Sequence, residues 1–321
     1  MTMLDERDLA VLALTSRLTE SEAKPLSARE FWALRRKVEP SVLHGRTATE
    51  IAADSAVTGE DADRIARLFD RAAGLAMALE KLDHSGIWTV TGVGEDYPER
   101  LRGRLRDAAP PVLHGVGDIS LLGTDGVGVV GSRSVSEEGA QVAREIGECA
   151  VRAGLPIVSG AARGVDRDAM NAAFEAGGQV VGLPADSLER AITRRGTRQG
   201  VTKGRICLLT PFTPSAPFSV GNAMDRNKVI YGLSRVTLVV ASDLETGGTW
   251  AGAVEALKHN YGRVAVWNGA GSGPGNKALI ERGADDLSEL SYLQGYFDDS
   301  AAPALRVDEP HGGQMTLGFG G

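Results

Sequence analysis

Between residues 126 and 267 the chain alternates short β-branched runs with amphipathic stretches, and this rhythm limits the possible folds more than any other feature. The runs GVGVV (126–130), PIVS (156–159), QVVGL (179–183), RICLLT (205–210), RVTLVVA (235–241) and RVAVW (263–267) each have the length of one strand. Between and after them, apolar residues recur at three- and four-residue spacing over roughly 135–153, 165–176, 186–195, 222–232, 248–259 and 275–283. Strands joined through helices run parallel, and strands that read as unbroken apolar runs are covered on both faces. The pattern predicts an α/β fold, with a mostly parallel sheet and helices on both faces.

Residues 1–84 follow a different rule. DERDLAVLALTSRL, SAREFWALRRKV, TATEIAADSAV and TGEDADRIARLFDRAAGLAMALEKL carry helical apolar spacing, several behind a Ser or Thr cap. Thr47 with Glu50 fits a capping box, and Thr58 with Asp61 fits one more loosely. They form a small all-helical domain, expected to serve packing or spacing, because it lacks the glycine hairpin of a helix-hairpin-helix DNA module. GIWTVTG (86–92) is strand-like, and residues 96–118 read as a proline-punctuated connection. The α/β domain is expected over 85–290 and a flexible tail over 291–321.

Composition narrows the function classes. Of 321 residues, 42% are hydrophobic and 24% charged, and no apolar stretch is long enough to span a bilayer. With the acidic start MTMLDERD, which is no signal peptide, this predicts a cytoplasmic protein without membrane contact. Cys149 and Cys207 lack metal-type spacing and read as buried thiols, and the five histidines are scattered, so no metal or other cofactor is expected. The net charge of −7 argues against indiscriminate coating of nucleic acid. From Arg190 to Met224, however, stand Arg190, Arg194, Arg195, Arg198, Lys203 and Arg205 with no acid among them. Such a stripe is either a local anion-binding face or a solvated helix and loop.

In an open parallel sheet, ligands bind beyond the carboxyl ends of the strands. Those ends carry Gly131-Ser132-Arg133, then Ser159-Gly160-Ala161-Ala162-Arg163-Gly164-Val165-Asp166, then Thr246-Gly247-Gly248-Thr249 after the fifth run. Glycine lets a backbone N–H approach an oxyanion, a helix N-terminus adds its dipole, and arginine pairs with phosphate in bidentate fashion. Gathered on one rim, these turns suit a phosphate-bearing ligand. The full G-x-G-x-x-G dinucleotide fingerprint and the Walker loop are both missing. The rim acids Asp166, Asp225 and Asp243 have no histidine behind them, so no catalytic residue is assigned. Asp166 reads equally as the cap of the helix that follows.

YPERL (97–101), PPVLHGVGD (110–118), VVGSRSVSEEG (129–139), IVSGAARGVDRDAMNAAFEAGG (157–178), DRNKVIYGLS (225–234), TGGTWAGA (246–253) and GNKALIERGA (275–284) stand in an order that resembles the DNA-processing protein A (DprA/Smf) family. The similarity runs over about residues 86–286. It implies an extended Rossmann-like domain that binds single-stranded DNA in a basic pocket, forms a homodimer and hands the strand to the RecA recombinase without catalytic turnover. On matching positions, Arg133, Arg163, Arg226 and Lys228 would contact phosphates, while Asn227, Gly131, Gly160 and Gly164 would shape the pocket. Ser132, Ser159, Asp166, Gly247 and Thr249 belong to the same strand-end turns, and Phe218 is the candidate base-stacking platform.

The chain departs from the family pattern at several points. It has Ala169-Met170 for the usual Ala-His, Ala241 for a Glu, FSVGNAM for a shorter Phe-Pro-x-Arg-Asn segment, and TGGTW for a Ser-Gly-Ser turn. It has no room after residue 290 for a winged helix. These departures allow a specialised paralogue, for instance in phage defence. Gln314, Leu317 and Phe319 are similar to the Gln-x-x-Leu-x-Phe peptides that bind the bacterial sliding clamp. The alternative function is a nucleotide binder or nucleoside-monophosphate phosphoribohydrolase. Against it, ETGGTWAGAVEAL lacks that family's leading proline and has Glu255 too far along.

Overall fold

The computed structural model describes residues 4–53 and 57–298. Five helices come first: α1 Glu6–Thr15, α2 Ala28–Arg35, α3 Ala48–Ala53, α4 Gly59–Phe69 and α5 Ala72–His84. Their starts are fixed locally. Asp5 with Asp8 and Ser27 with Glu30 form reciprocal capping boxes that open α1 and α2, and the expected Thr47–Glu50 box is present as well. The rest runs β1 Trp88–Thr91, α6 Glu99–Leu105, β2 Val112–Gly117, β3 Gly126–Val130, α7 Glu137–Arg152, β4 Ile157–Ser159, α8 Val165–Glu175, β5 Val180–Gly182, α9 Leu188–Thr193, α10 Arg195–Thr202, β6 Ile206–Thr210, α11 Val220–Leu233, β7 Ser234–Val239, α12 Gly247–His259, β8 Arg263–Trp267, α13 Asn276–Glu281, β9 Asp285–Leu287 and α14 Leu293–Phe297.

The strands form one sheet in the order β1-β2-β6-β5-β4-β3-β7-β8-β9. The run from β6 to β9 is parallel throughout, and β1 and β2 join antiparallel at one side. This is the expected mostly parallel α/β sheet. From β3 the chain winds outward through α7 and α8 to β6, then returns through α11 to β7 and winds the other way. The order therefore switches between β3 and β7, where their carboxyl ends open a crevice.

Side-chain alternation fills two large cores and a smaller one around Leu82, Val116 and Leu188. Val127 and Val129 of β3, with Val236 and Leu238 of β7, pack under α7, α8 and α14. Val130 and Val239 face the other way, onto α11 and α12. That second core continues without a break into α1, α2 and α4 through Leu12, Phe31 and Leu68. Trp32 anchors this seam, its indole N–H donating to the Ala109 carbonyl at 2.8 Å, while the Arg102 guanidinium lies 3.5 Å over its ring.

Four expectations need correcting. Residues 112–117 are a strand rather than a connection, because Val112 and Leu113 are buried between β1 and β6. The helix expected over 186–195 breaks at the extended Arg194, and a second helix follows. The chain stays packed past residue 290, with Leu293 and Phe297 buried under the sheet. Cys207 is buried, but Cys149 is only half-buried, its sulfur accepting a hydrogen bond from Arg152 at 2.9 Å. The tail residues Gln314, Leu317 and Phe319 lie outside the described residues.

Candidate nucleic-acid interface

The turns after β3 and β4 are built against each other. The Ser132 N–H donates to the Ala241 carbonyl at 2.8 Å, tying the β3 turn to the end of β7, and Val165 N–H donates back to the Ser132 carbonyl at 3.3 Å. Gly164 has φ +79°, and a Cβ there would stand 2.3 Å from the Ser132 carbonyl oxygen. Only glycine satisfies both constraints. At Gly160 the close neighbour is a pair of side chains: a Cβ would meet Arg226 Nη1 at 2.2 Å and Asp166 Oδ2 at 2.5 Å.

That pair is the keystone of the rim. Asp166, in the first turn of α8, is buried, and burial pushes its carboxyl up to about 6; the Arg226 guanidinium and hydrogen bonds from the backbone of Ala162, Gly131 and Gly160 pull the other way. Arg226 reaches in from α11 and is 4% exposed. Burial lowers it to about 10, and the positive charge of Arg133 adds to that shift, while Asp166 and Asp186 oppose it. Both partners move toward neutrality, so desolvation outweighs their mutual attraction. Hydrogen bonding compensates only in part. Arg226 Nη1 donates to the Leu183 carbonyl, whereas its buried Nε has no partner.

The glycine turns are packed closely against their protein neighbours. Their small residues make room for protein against protein: a Cβ at Gly131 would meet Val165, and one at Gly160 would meet Arg226 and Asp166. In front of the pair lies a cleft of about 800 Å³ whose wall carries Arg133, Arg163, Arg167, Arg194 and Arg226 against a single carboxylate, Asp186. Asp186 stands 3.6 Å from Arg194. Among the described residues, no carboxylate pairs with the exposed Arg133, Arg163 or Arg167. Phe218 closes one side, 49% exposed, with the Arg133 guanidinium 5.6 Å from its ring centre. Met170, Phe174 and Leu208 supply an apolar floor.

Several expected residues sit elsewhere. Lys228 lies on the opposite side of α11 from Arg226 and pairs with Asp225 at 3.2 Å. Asn227 donates to the Gly248 carbonyl at 3.0 Å, locking α11 to the start of α12. Gly247 and Thr249 open α12 and do not line the cleft. Ser159 is fully buried, its hydroxyl donating to the Val129 carbonyl at 2.6 Å. Of the acid-free stripe, Arg194 reaches the cleft, and Arg205 stacks 4.1 Å over Phe174. Glu255 accepts from the Tyr261 hydroxyl at 3.3 Å, two turns along α12 from the TGGTW turn. Arg167 was missed. It lies in the first turn of α8, just after the β4 turn that carries Arg163, and an arginine at the start of the helix following that turn is the signal that would have found it.

A profile of the DNA recombination-mediator protein A family matches residues 88–294, more than half of the chain. The chain belongs to this family. As a DprA/Smf protein it is 32% identical over 176 residues to protein Smf of Synechocystis sp., covering 53% of this chain and 43% of that one. It is 30% identical over 195 residues to DNA processing protein DprA of Bacillus subtilis, covering 60% and 64%. The alignments thus span less than two thirds of either relative. The X-ray structure of DNA processing protein A from Streptococcus pneumoniae superposes with a TM-score of 0.69 at 22% identity, over 93% of this chain and 99% of that one. The Helicobacter pylori protein, solved for its single-stranded DNA binding mode, gives 0.53 at 23% identity, over 64% and 93%. At these identities the two structures establish that DprA/Smf proteins and this chain share a fold.

Proposed function

We propose that this chain is a non-enzymatic single-stranded DNA-binding protein of DNA processing and recombination. The observation that carries the reading is the cleft itself. Three exposed arginines without carboxylate partners, Arg133, Arg163 and Arg167, surround an open cleft beside an exposed phenylalanine. Guanidinium groups without base-edge partners give affinity for the phosphate backbone, and an aromatic face at the same place stacks a base without reading it. The Helicobacter pylori relative, named for its single-stranded DNA binding, supports the same ligand.

In this reading Arg133, Arg163 and Arg167 meet phosphates, while Arg226 and Asp166 hold the turns that carry them. The deciding experiment is fluorescence anisotropy with single-stranded and duplex oligonucleotides over a salt series. Wild-type protein should bind the single strand with steep salt dependence, and Arg133→Ala or Arg163→Ala should each reduce the log–log slope by about 1. Binding that is insensitive to salt, or equal in wild type and variants, refutes the reading.

The family description, DNA recombination-mediator protein A, supports a part in recombination, and the proposal extends it to delivery of the bound strand to RecA by a cytoplasmic homodimer. RecA filament growth on single-stranded DNA with and without the protein tests this. Docking of the tail on the sliding clamp is tested by pull-down with wild type against Gln314→Ala/Phe319→Ala.

A further inference from the structure

The two sides of α11 face two different clefts. Arg226 looks toward the arginine cleft. Asn222, Asp225 and Lys228, one helical stripe on the other side, line a second cleft of about 510 Å³ between the sheet and the helical segment. The helical segment contributes Arg17, just beyond α1, and Arg29, in the first turn of α2. Both are exposed.

The charges of this second cleft do not cancel. Asp225 is paired with Lys228 at 3.2 Å, and Glu255 accepts from the neutral Tyr261 hydroxyl at 3.3 Å and keeps its charge, so the lining carries three cations against two carboxylates. Arg17 and Arg29 have no carboxylate partner among the described residues. Two unpaired guanidinium groups at a polar cleft call for an anionic occupant.

The two clefts share a wall. Residues 211–219 pass from β6 to α11 without an acid, and the segment borders both spaces. Phe212, Thr213 and Ala216 line the second cleft, and Phe218 lines the first. The Thr213 hydroxyl donates to the Arg17 carbonyl at 3.5 Å, holding this segment against the helical one. A strand leaving the Phe218 platform needs to round only the N-terminal end of one helix, about 10–12 Å across, to reach the second cleft.

We infer that the cleft between the helical segment and the sheet is a second phosphodiester-binding site, in which Arg17, Arg29 and Lys228 hold the continuation of the same DNA strand. The inference rests on the single-stranded DNA reading of the arginine cleft. It gives the helical segment a direct part in binding, and it gives Lys228 a ligand on the far side of α11.

The test compares the wild type with Arg17→Gln/Arg29→Gln on oligonucleotides of about 5 and about 12 nucleotides, lengths within the range that one single-strand site covers. Both positions are exposed, and thermal melting checks that the fold is unchanged. The expected result is a salt slope reduced by about 2 on the longer oligonucleotide, with the shorter one bound as by wild type. Equal slopes for wild type and variant on the longer strand overturn the inference and leave the first cleft standing. An equal loss on both lengths also overturns it, because a general change in surface potential acts on both. Wild-type protein that binds neither length overturns the reading of the first cleft, and this inference falls with it.

Discussion

Replacing Gly160 with alanine separates two explanations of the glycine in the β4 turn. If the residue is glycine so that a phosphate can approach, alanine weakens DNA binding and leaves the fold alone. The structure assigns the space differently: a Cβ would sit 2.2 Å from Arg226 Nη1 and 2.5 Å from Asp166 Oδ2. Neither group yields cheaply, since Asp166 is buried beneath the turn and Arg226 is 4% exposed and donates to the Leu183 carbonyl. Overpacking of a tight interior costs about 1–3 kcal/mol, and the upper end of that range applies where both neighbours are buried. A loss of about 3 kcal/mol is expected for Gly160→Ala, which lowers the melting temperature by about 5 °C. The assay is urea unfolding of Gly160→Ala, Arg226→Met and the double variant. Because the methyl collides with the guanidinium, the two substitutions should couple by about 1–3 kcal/mol, with Gly160→Ala far milder once Arg226 is gone. Additive losses, or an unchanged midpoint for Gly160→Ala, would refute the packing argument.

Two further outcomes follow from the same geometry. Phe218→Ala should weaken single-stranded DNA binding by about 1–3 kcal/mol with an unchanged salt slope and an unchanged melting temperature, because the ring is half in solvent and stacks rather than pairs; unaltered affinity in anisotropy would remove the stacking role. Acid should act on two buried groups with opposite sign. Burial lowers His114 to about 4, so stability present above its unfolded value of about 6.5 is lost as pH falls toward 4, by about 3 kcal/mol in all. Burial raises Asp166 to about 6, so its contribution is lost as pH rises through 6 and is fully present below about 3.8, which offsets much of the His114 loss. Asp166→Asn should therefore steepen the fall in urea midpoint between pH 7 and pH 4.5, and an equal or shallower fall refutes the assignment.

Much of the architecture was legible because it is written in local periodicity. The six runs from 126 to 267 became parallel strands at nearly the expected bounds, since unbroken apolar runs between amphipathic stretches have few other places to go. β2 was not legible: His114, Gly115 and Gly117 break its apolar pattern, and its place is set by pairing with strands on either side. The split between α9 and α10 was hidden as well, because it depends on the extended backbone at Arg194. The candidate site divides in the same way. Arg133, Arg163 and Phe218 could be picked out because each sits at a strand end or in the segment leading to α11, and the structure gathers them in one cleft.

The sequence alone determined the sheet, its helical cover and the placing of arginine and glycine at one rim. Only the tertiary structure decided what those glycines serve. Gly160 and Asp166 lie close in the chain, but Arg226 arrives from a helix sixty residues on. Which face of that helix turns inward is fixed by packing on the sheet. The same rotation that buries Arg226 sends Lys228 to the opposite cleft, so neighbours in the motif DRNK serve different surfaces. Local pattern fixes an element and its amphipathic face, whereas a charge buried between elements gets its partner from contacts that no local period encodes.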